Sequence, residues 1–166
     1  MNACFLSRVM AAYLILGPLA LRSAPAAPPE IAPAINELGL DLYRQQIKSA
    51  RGGNVLTSPY SISTALAMAY TGADGATREE MQRVLHLPGD QATVGAAFHA
   101  LAGQLAEMVS YSEKLVAEIK AVDVQATPIQ QGVANRLYAQ RGYELRPAFV
   151  ENLRTQFNST LEELVF

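Results

Sequence analysis

The spacing of apolar residues along the chain predicts several amphipathic helices. Three stretches carry apolar side chains at intervals of three and four residues, with polar side chains mostly on the opposite side. These stretches are residues 35–48, 94–108 and 147–157, and the last one begins at Pro147, which suits the first helical position. A further helical stretch is predicted over residues 115–122. The pattern therefore favours a mainly helical chain.

Residues 55–70 show a different pattern, which predicts a short strand followed by another helix. Val55 and Leu56 favour a short apolar strand, after which Ser58 suits the N-cap and Pro59 the first position of a helix. Almost every position over residues 62–70 is then apolar. A helix that is apolar on all sides is typical of the interior of a large domain.

The next helix has a predicted starting signal. Gly72 ends the apolar helix, and Thr77 stands three residues before Glu80. In a capping box, these two side chains each accept a hydrogen bond from a free backbone N–H at the helix start. We therefore expect the helix to begin at Thr77.

Three segments resemble the serpins, the serine protease inhibitor superfamily, in the family's own order. Residues 54–62 follow the pattern N-V-[aliphatic]-x-S-P-x-S-[aliphatic], and TGADGATREEMQRVLHL continues in the same register. NRLYAQRGYELRPAFVENLRTQFNSTLEELVF is similar to the family's second sheet-A strand, the next helix and the start of another strand. The resemblance covers roughly residues 35–166. It implies an α+β fold with helices A to E and strands from sheets A and B, the strands here being residues 132–140 and 160–166.

The resemblance also implies an activity. Inhibitory serpins present a reactive loop that the target serine endopeptidase, or alternatively a cysteine endopeptidase, cleaves, and the loop then inserts into sheet A and traps the protease. That loop lies near a serpin's C-terminus. We therefore expect this chain to be an N-terminal fragment that is inactive, partly molten and prone to aggregate when expressed alone. The alternatives are a non-inhibitory serpin acting as a carrier or chaperone-like binding protein, or a small helical binding domain if the resemblance misleads.

The resemblance assigns a conformational role to four residues. Asn54, Ser58, Pro59 and Ser61 match, position by position, the family's shutter region beneath the centre of sheet A. It implies that their polar groups exchange hydrogen-bond partners as the sheet opens to admit a strand, since buried polar groups need a partner in either state. The simpler interpretation is a strand end and a helix cap that hold a core together.

The N-terminal residues predict a targeting segment. Residues 9–21 form a largely apolar run that is shorter than the roughly 20 residues a bilayer span needs, and residues 24–26 fit an A-x-A cleavage signal. We interpret residues 1–26 as a secretory signal peptide, 27–34 as a flexible Pro/Ala tail and 35–166 as the serpin domain. A buried helix and a membrane anchor are the alternatives at the N-terminus. Secretion into the extracellular space is the expected localisation.

Composition and charge narrow the candidate chemistry. The formal net charge of -2 lacks the clustered positive charge of a nucleic-acid surface. Cys4 is the only cysteine, so the chain forms no internal disulfide. Residues 91–107 contain no Lys or Arg, which argues against a heparin-type site on the fourth helix. His86 and His99 stand in no base or metal motif. We therefore predict no catalytic residue, metal or cofactor, and the resemblance implies an inhibitor rather than an enzyme.

One motif is a candidate for covalent modification. Asn158, Ser159 and Thr160 form an N-glycosylation sequon. Such sequons also arise by chance, and their use requires a secreted eukaryotic protein.

Overall fold

The computed structural model describes residues 31–50, 52–120 and 125–165. This part of the chain contains five helices and two short strands. In chain order they are α1 (Ile31–Ser49), α2 (Pro59–Tyr70), α3 (Gly75–Val84), α4 (Gln91–Lys120), β1 (Leu137–Gln140), α5 (Pro147–Phe157) and β2 (Leu161–Leu164).

The chain divides into two compact units. The smaller one includes the described residues 104–120 and 125–131, and the larger one includes 31–50, 52–103 and 132–165. All the sites discussed below lie in the larger unit.

In the smaller unit a serine side chain fastens the segment after α4. The Ser112 hydroxyl donates to the Val109 carbonyl at 2.8 Å and accepts from the Ile129 backbone N–H at 3.0 Å. One hydroxyl therefore satisfies a backbone group of α4 and another at Ile129.

The first described helix begins earlier than the sequence suggested. α1 starts at Ile31, which is fully buried, so residues 31–34 of the predicted flexible tail are helical. Pro33 is tolerated because it stands in the first turn, where its missing N–H has no helical partner to lose. The remaining tail, 27–30, and the predicted signal peptide, 1–26, lie outside the described residues.

The strand predicted at Val55 and Leu56 is wrong for the described part of the chain. Residues 54–58 have no regular secondary structure, and the Leu56 side chain is 98% exposed. A strand is stable only when its backbone groups pair with a neighbouring strand. The described residues place none beside Val55, so strand propensity alone does not form one.

The capping-box prediction at Thr77 is also wrong. α3 begins two residues earlier, at Gly75, and the Asp74 carboxylate accepts the Gly75 backbone N–H at 2.8 Å. Asp is as good an N-cap as Ser or Thr. Gly75 has a φ of +53°, which glycine adopts at little cost. The Asp-Gly pair therefore sets the helix start, and Thr77 lies within the first turn.

The two helical stretches predicted around residues 94–122 form one element as far as the structure describes them. α4 has 30 residues, which at 1.5 Å per residue makes a helix of about 45 Å. The predicted inward stripe holds for Val94 and Phe98, which are buried, but Met108 is 51% exposed.

The two strands pair in parallel. Leu137 lies opposite Leu161, and the register continues to Gln140 opposite Leu164. Parallel strands need a crossover connection, and α5 provides it. The predicted strand over residues 132–140 is thus reduced to its last four residues, while the predicted strand near the end of the chain is confirmed.

Polar side chains tie the ends of these elements to their neighbours. The Ser159 hydroxyl donates to the Asn135 carbonyl at 3.0 Å, which joins the end of α5 to the entry of β1. The Gln91 side-chain amide donates to the carbonyls of Tyr70 and Ala73 at 2.6 and 2.8 Å. The Tyr70 carbonyl is at the end of α2 and the Ala73 carbonyl lies just after it. No backbone N–H of the helix is left there to pair with a carbonyl.

Helices α1, α2 and α4 supply most of the larger unit's hydrophobic core. The Phe98 and Phe157 rings stack at a centroid distance of 5.9 Å and join α4 to α5. The core cluster comprises Ile31, Ala34, Ile35, Leu38, Ala67, Tyr70, Leu85, Leu87, Val94, Ala97 and Phe98.

Candidate functional site

The start of α2 and the segment before it, residues 54–61, are called here the α2 junction. Ser58 is the N-cap, with an extended backbone at φ -107° and ψ 95°, and Pro59 is the first helical residue. The Ser58 Oγ accepts from the Ser61 backbone N–H at 3.5 Å and donates to the Ser61 Oγ at 3.0 Å. The helix start predicted from the sequence is confirmed, although the N–H bond is at the long limit of hydrogen bonding.

Pro59 also marks the closest approach between α1 and α2. Gly39, in the middle of α1, has no side chain, and a Cβ built there would lie 2.6 Å from the Pro59 Cγ. Glycine in a helix interior costs about 1 kcal/mol relative to alanine, so its use here is explained by the space that Pro59 takes. The sequence contained this signal, because Gly39 interrupts an otherwise regular amphipathic helix.

A second contact joins the α2 junction to α1. The Thr57 hydroxyl donates to the Gln46 side-chain carbonyl. Sequence reasoning did not find this pair, since its partners are 11 residues apart and belong to no motif.

The four residues of the predicted shutter do not form one cluster. Ser58, Pro59 and Ser61 lie together, whereas Asn54 is exposed, and within the described residues its side chain makes no hydrogen bond to them. The Ser58 side chain is also exposed.

The buried hydroxyls of α2 lie further along the helix. Ser63 and Thr64 are 4% and 6% exposed. Thr64 donates to the Tyr60 carbonyl at 2.7 Å, while the Ser63 Oγ has no partner among the described residues. A buried hydroxyl without a hydrogen bond destabilises the folded state. Ser63 is therefore the polar group on α2 that is most available for a new hydrogen bond.

The α2 junction has no group that could act as an acid or base near neutral pH. Its only titratable side chain is Tyr60, and burial raises the pKa of its phenol while the Thr64 hydroxyl bond opposes that rise. Ser58 and Ser61 bond to each other and not to a histidine. A serine nucleophile needs an adjacent base, and no hydrogen bond from Ser58 or Ser61 to such a base is found among the described residues.

Among the described residues, neither histidine belongs to a cluster that could hold a metal ion. Over residues 31–50, 52–120 and 125–165, no group of three or more His, Cys, Asp or Glu residues could hold a metal ion. His86 lies between two carboxylates of α1, and His99 is exposed.

A surface cleft of about 720 Å³ lies where the end of α2 meets the start of α5. Met81 and Leu137 contribute apolar surface, and Asp74 and Arg146 contribute opposite charges. No histidine lines it. The cleft stands apart from the junction residues Ser58 and Ser61.

Half of the described Lys and Arg residues are paired with a carboxylate. Arg44, Arg78, Arg83 and Arg154 each bridge to a carboxylate within three or four positions of their own helix or its cap, and Arg136 pairs with Glu162 across the two strands. No helix in the described ranges combines the length and apolar character that crossing a bilayer requires.

The sequon lies at a helix end. Asn158 is the C-cap of α5, with φ 47° and ψ 36°, a left-handed conformation that asparagine adopts more readily than most residues. Asn158 and Thr160 are exposed, while Ser159 is 3% exposed. The acceptor side chain is therefore on the surface of the larger unit.

Comparison with known sequences gives a consistent family match. A family model described as Serpin (serine protease inhibitor) matches residues 33–166. A serpin-like protein of Thermococcus kodakarensis is 35% identical over 133 residues, which is 80% of this chain and 27% of that protein. The leukocyte elastase inhibitor of Xenopus tropicalis is 29% identical, over 82% of this chain and 32% of the inhibitor.

Solved structures show the same fold. The structure named Cleaved Serpin 42Da aligns with a TM-score of 0.62 and 25% identity, over 84% of this chain and 32% of that one. Reaction-loop-cleaved lamprey angiotensinogen aligns with a TM-score of 0.59 and 23% identity, over 84% and 35%. The chain thus spans about a third of the length of the relatives that it matches.

Proposed function

Because this chain belongs to the serpin family, we propose that it supplies the N-terminal part of an inhibitor of serine endopeptidases. The match over residues 33–166 carries the proposal, and one relative is itself named as an inhibitor of an elastase. The activity proposed is that of the whole protein, which traps its protease by inserting a cleaved loop into sheet A.

The β-strand pair supports a role in strand insertion. β1 and β2 form a two-stranded sheet, and among the described residues no third strand lies beside β1. A strand edge presents backbone groups that accept another strand. β1 is therefore a candidate for pairing with strands of the remaining two-thirds of the fold.

The proposed shutter role rests on the weak hydrogen bonds that hold the start of α2. Ser58 and Ser61 hold the helix start through hydroxyl contacts of 3.0 and 3.5 Å, and Ser63 is buried without a partner among the described residues. Hydroxyls can donate or accept by rotation, so they adapt when a neighbouring strand moves. Asn54 belongs to this proposal through the family resemblance only.

The experiment is to react the whole polypeptide that the gene encodes with elastase, trypsin and chymotrypsin. An inhibitory serpin is expected to form a complex with one of them that survives SDS, and its loop-cleaved form is expected to unfold at a higher temperature than the intact form. In the same assay, Ser58→Ala/Ser61→Ala is expected to lower the fraction of cleaved molecules that end as complex. The control is Ser110→Ala, at an exposed position of α4.

Two results would count against these proposals. Cleavage by all three proteases without a complex and without a rise in unfolding temperature would favour a non-inhibitory carrier or chaperone-like serpin. An unchanged complex yield in Ser58→Ala/Ser61→Ala would remove the shutter role while leaving the inhibitory proposal intact.

We also propose that the protein is secreted through a signal peptide over residues 1–26 and carries a glycan on Asn158. Expression of the chain from Met1 in a eukaryotic secretory host is expected to release a product whose mobility increases after treatment with peptide-N-glycosidase. Thr160→Ala removes the sequon without touching Asn158 and is expected to abolish the shift. Thr155→Ala, within α5 and outside the sequon, is the control and keeps it.

Retention of the unmodified protein inside the cell contradicts the signal peptide. A secreted product whose mobility the glycosidase does not change contradicts modification of Asn158 alone.

A further inference from the structure

One imidazole joins the end of α3 to α1. The His86 Nδ1 lies 3.2 Å from the Glu37 Oε2, and its Nε2 lies 3.0 Å from the Asp41 Oδ2. Glu37 and Asp41 are four residues apart and so lie on the same face of α1. Both ring nitrogens thus face carboxylate oxygens, although His86 is 45 residues away from Asp41 in sequence.

The number of protons on the ring decides whether both contacts are favourable. A neutral imidazole has one N–H, so it can donate to only one carboxylate and turns a lone pair toward the other. The imidazolium has two N–H groups, one for each carboxylate. A hydrogen bond between two charged groups is also stronger than one between neutral groups. The geometry is therefore complementary to the protonated ring.

We propose that Glu37, Asp41 and His86 form a pH-dependent clamp between α1 and the end of α3, closed when the imidazole is protonated and loosened when it is neutral. Histidine is the side chain that ordinarily changes charge between pH 5 and 8.

The charged groups around Asp41 affect the pH below which the clamp loses this carboxylate. Arg44 also bridges to Asp41, at 3.1 Å. The hydrogen bond from His86 is the main cause that lowers the pKa of Asp41 below its ordinary value of 3.8, Arg44 lowers it further, and partial burial opposes both. Because the pKa of Asp41 is lowered in the folded state, the Asp41 carboxylate stabilises the fold at pH values above 3.8. This stabilisation is lost as the pH falls below 3.8. On α3, Arg83 forms a salt bridge with Glu80 at 3.9 Å.

The backbone at His86 shows what the clamp holds in place. His86 has a φ of 55°, a left-handed conformation that residues other than glycine seldom adopt. Leu85 and Leu87 on either side are each 7% exposed and belong to the core cluster. The clamp therefore fixes a strained turn whose two neighbours are packed in the core.

The first test is thermal unfolding of the full 166-residue chain at pH 5.5 and pH 8.0. Surface pairs of this kind contribute modestly, so the unfolding temperature of the wild type is expected to fall by about 2–4 °C between the two pH values through this clamp. His86→Gln is expected to remove that part of the pH dependence. The control His99→Gln removes the other histidine and should behave as the wild type.

A second readout does not require cooperative unfolding. Carbon-13 NMR of the Glu37 and Asp41 carboxyl groups is expected to show an inflection between pH 5 and 8, when the imidazole gains its proton, and His86→Gln should lose it. An equal pH dependence in wild type and His86→Gln, or carboxyl signals that do not change in that range, would overturn the clamp.

Discussion

Phe98→Ala is expected to destabilise the larger unit by about 3–5 kcal/mol, the range for removing a buried aromatic side chain. Phe98 is 1% exposed and its ring packs against Phe157, so the truncation leaves a cavity between α4 and α5. Since proteins have about 5–15 kcal/mol of stability in total, this loss is a large fraction of the free energy of unfolding. Urea unfolding followed by circular dichroism measures the change.

The matched control for Phe98→Ala lies on the same helix. Met108 is 51% exposed, and Met108→Ala is expected to change the free energy of unfolding by less than about 1 kcal/mol. Equal losses in the two variants would contradict the packing of α4 described here.

Gly39→Ala is expected to destabilise the chain by about 1–3 kcal/mol, although alanine is the better helix former. The added Cβ would lie 2.6 Å from the Pro59 Cγ, so α1 and α2 must separate at the α2 junction. The rigid proline ring cannot move aside as the end of a flexible side chain could. The same urea unfolding experiment measures this loss.

A second glycine provides the opposite expectation. Gly103 lies within α4, and a Cβ built there would meet no atom within 4 Å. Gly103→Ala is therefore expected to stabilise the chain by up to about 1 kcal/mol. If Gly39→Ala also stabilised it, the close contact between α1 and α2 would be wrong.

The helices were the most predictable part of the fold. α5 begins at Pro147 as expected, and α2 has Ser58 and Pro59 at its start. These signals act within one turn of chain, so they need no information from distant residues. The start of α3 shows the limit, because the sequence favoured Thr77 as the cap, whereas the structure has Asp74 there and a positive φ at Gly75.

The candidate site was predicted only in part. Ser58, Pro59 and Ser61 were located by a motif, but their contact with Gly39 and the burial of Ser63 were not. The clamp at His86 was not foreseen either, since each histidine looked isolated in sequence. Its two acidic partners are on another helix, and no residue close to His86 in the sequence indicates them.

By itself, the sequence determined the family, the positions of most helices and the order of the two strands, since these depend on apolar spacing, turn residues and motifs read along the chain. Only the tertiary structure decided that Val55 and Leu56 do not form a strand, that Gly39 makes room for Pro59, and that His86 lies between two carboxylates. Each of these depends on which atoms of distant segments occupy the neighbouring space. Pairing, close contact and charge complementarity are properties of that space, and no local pattern of residues encodes them.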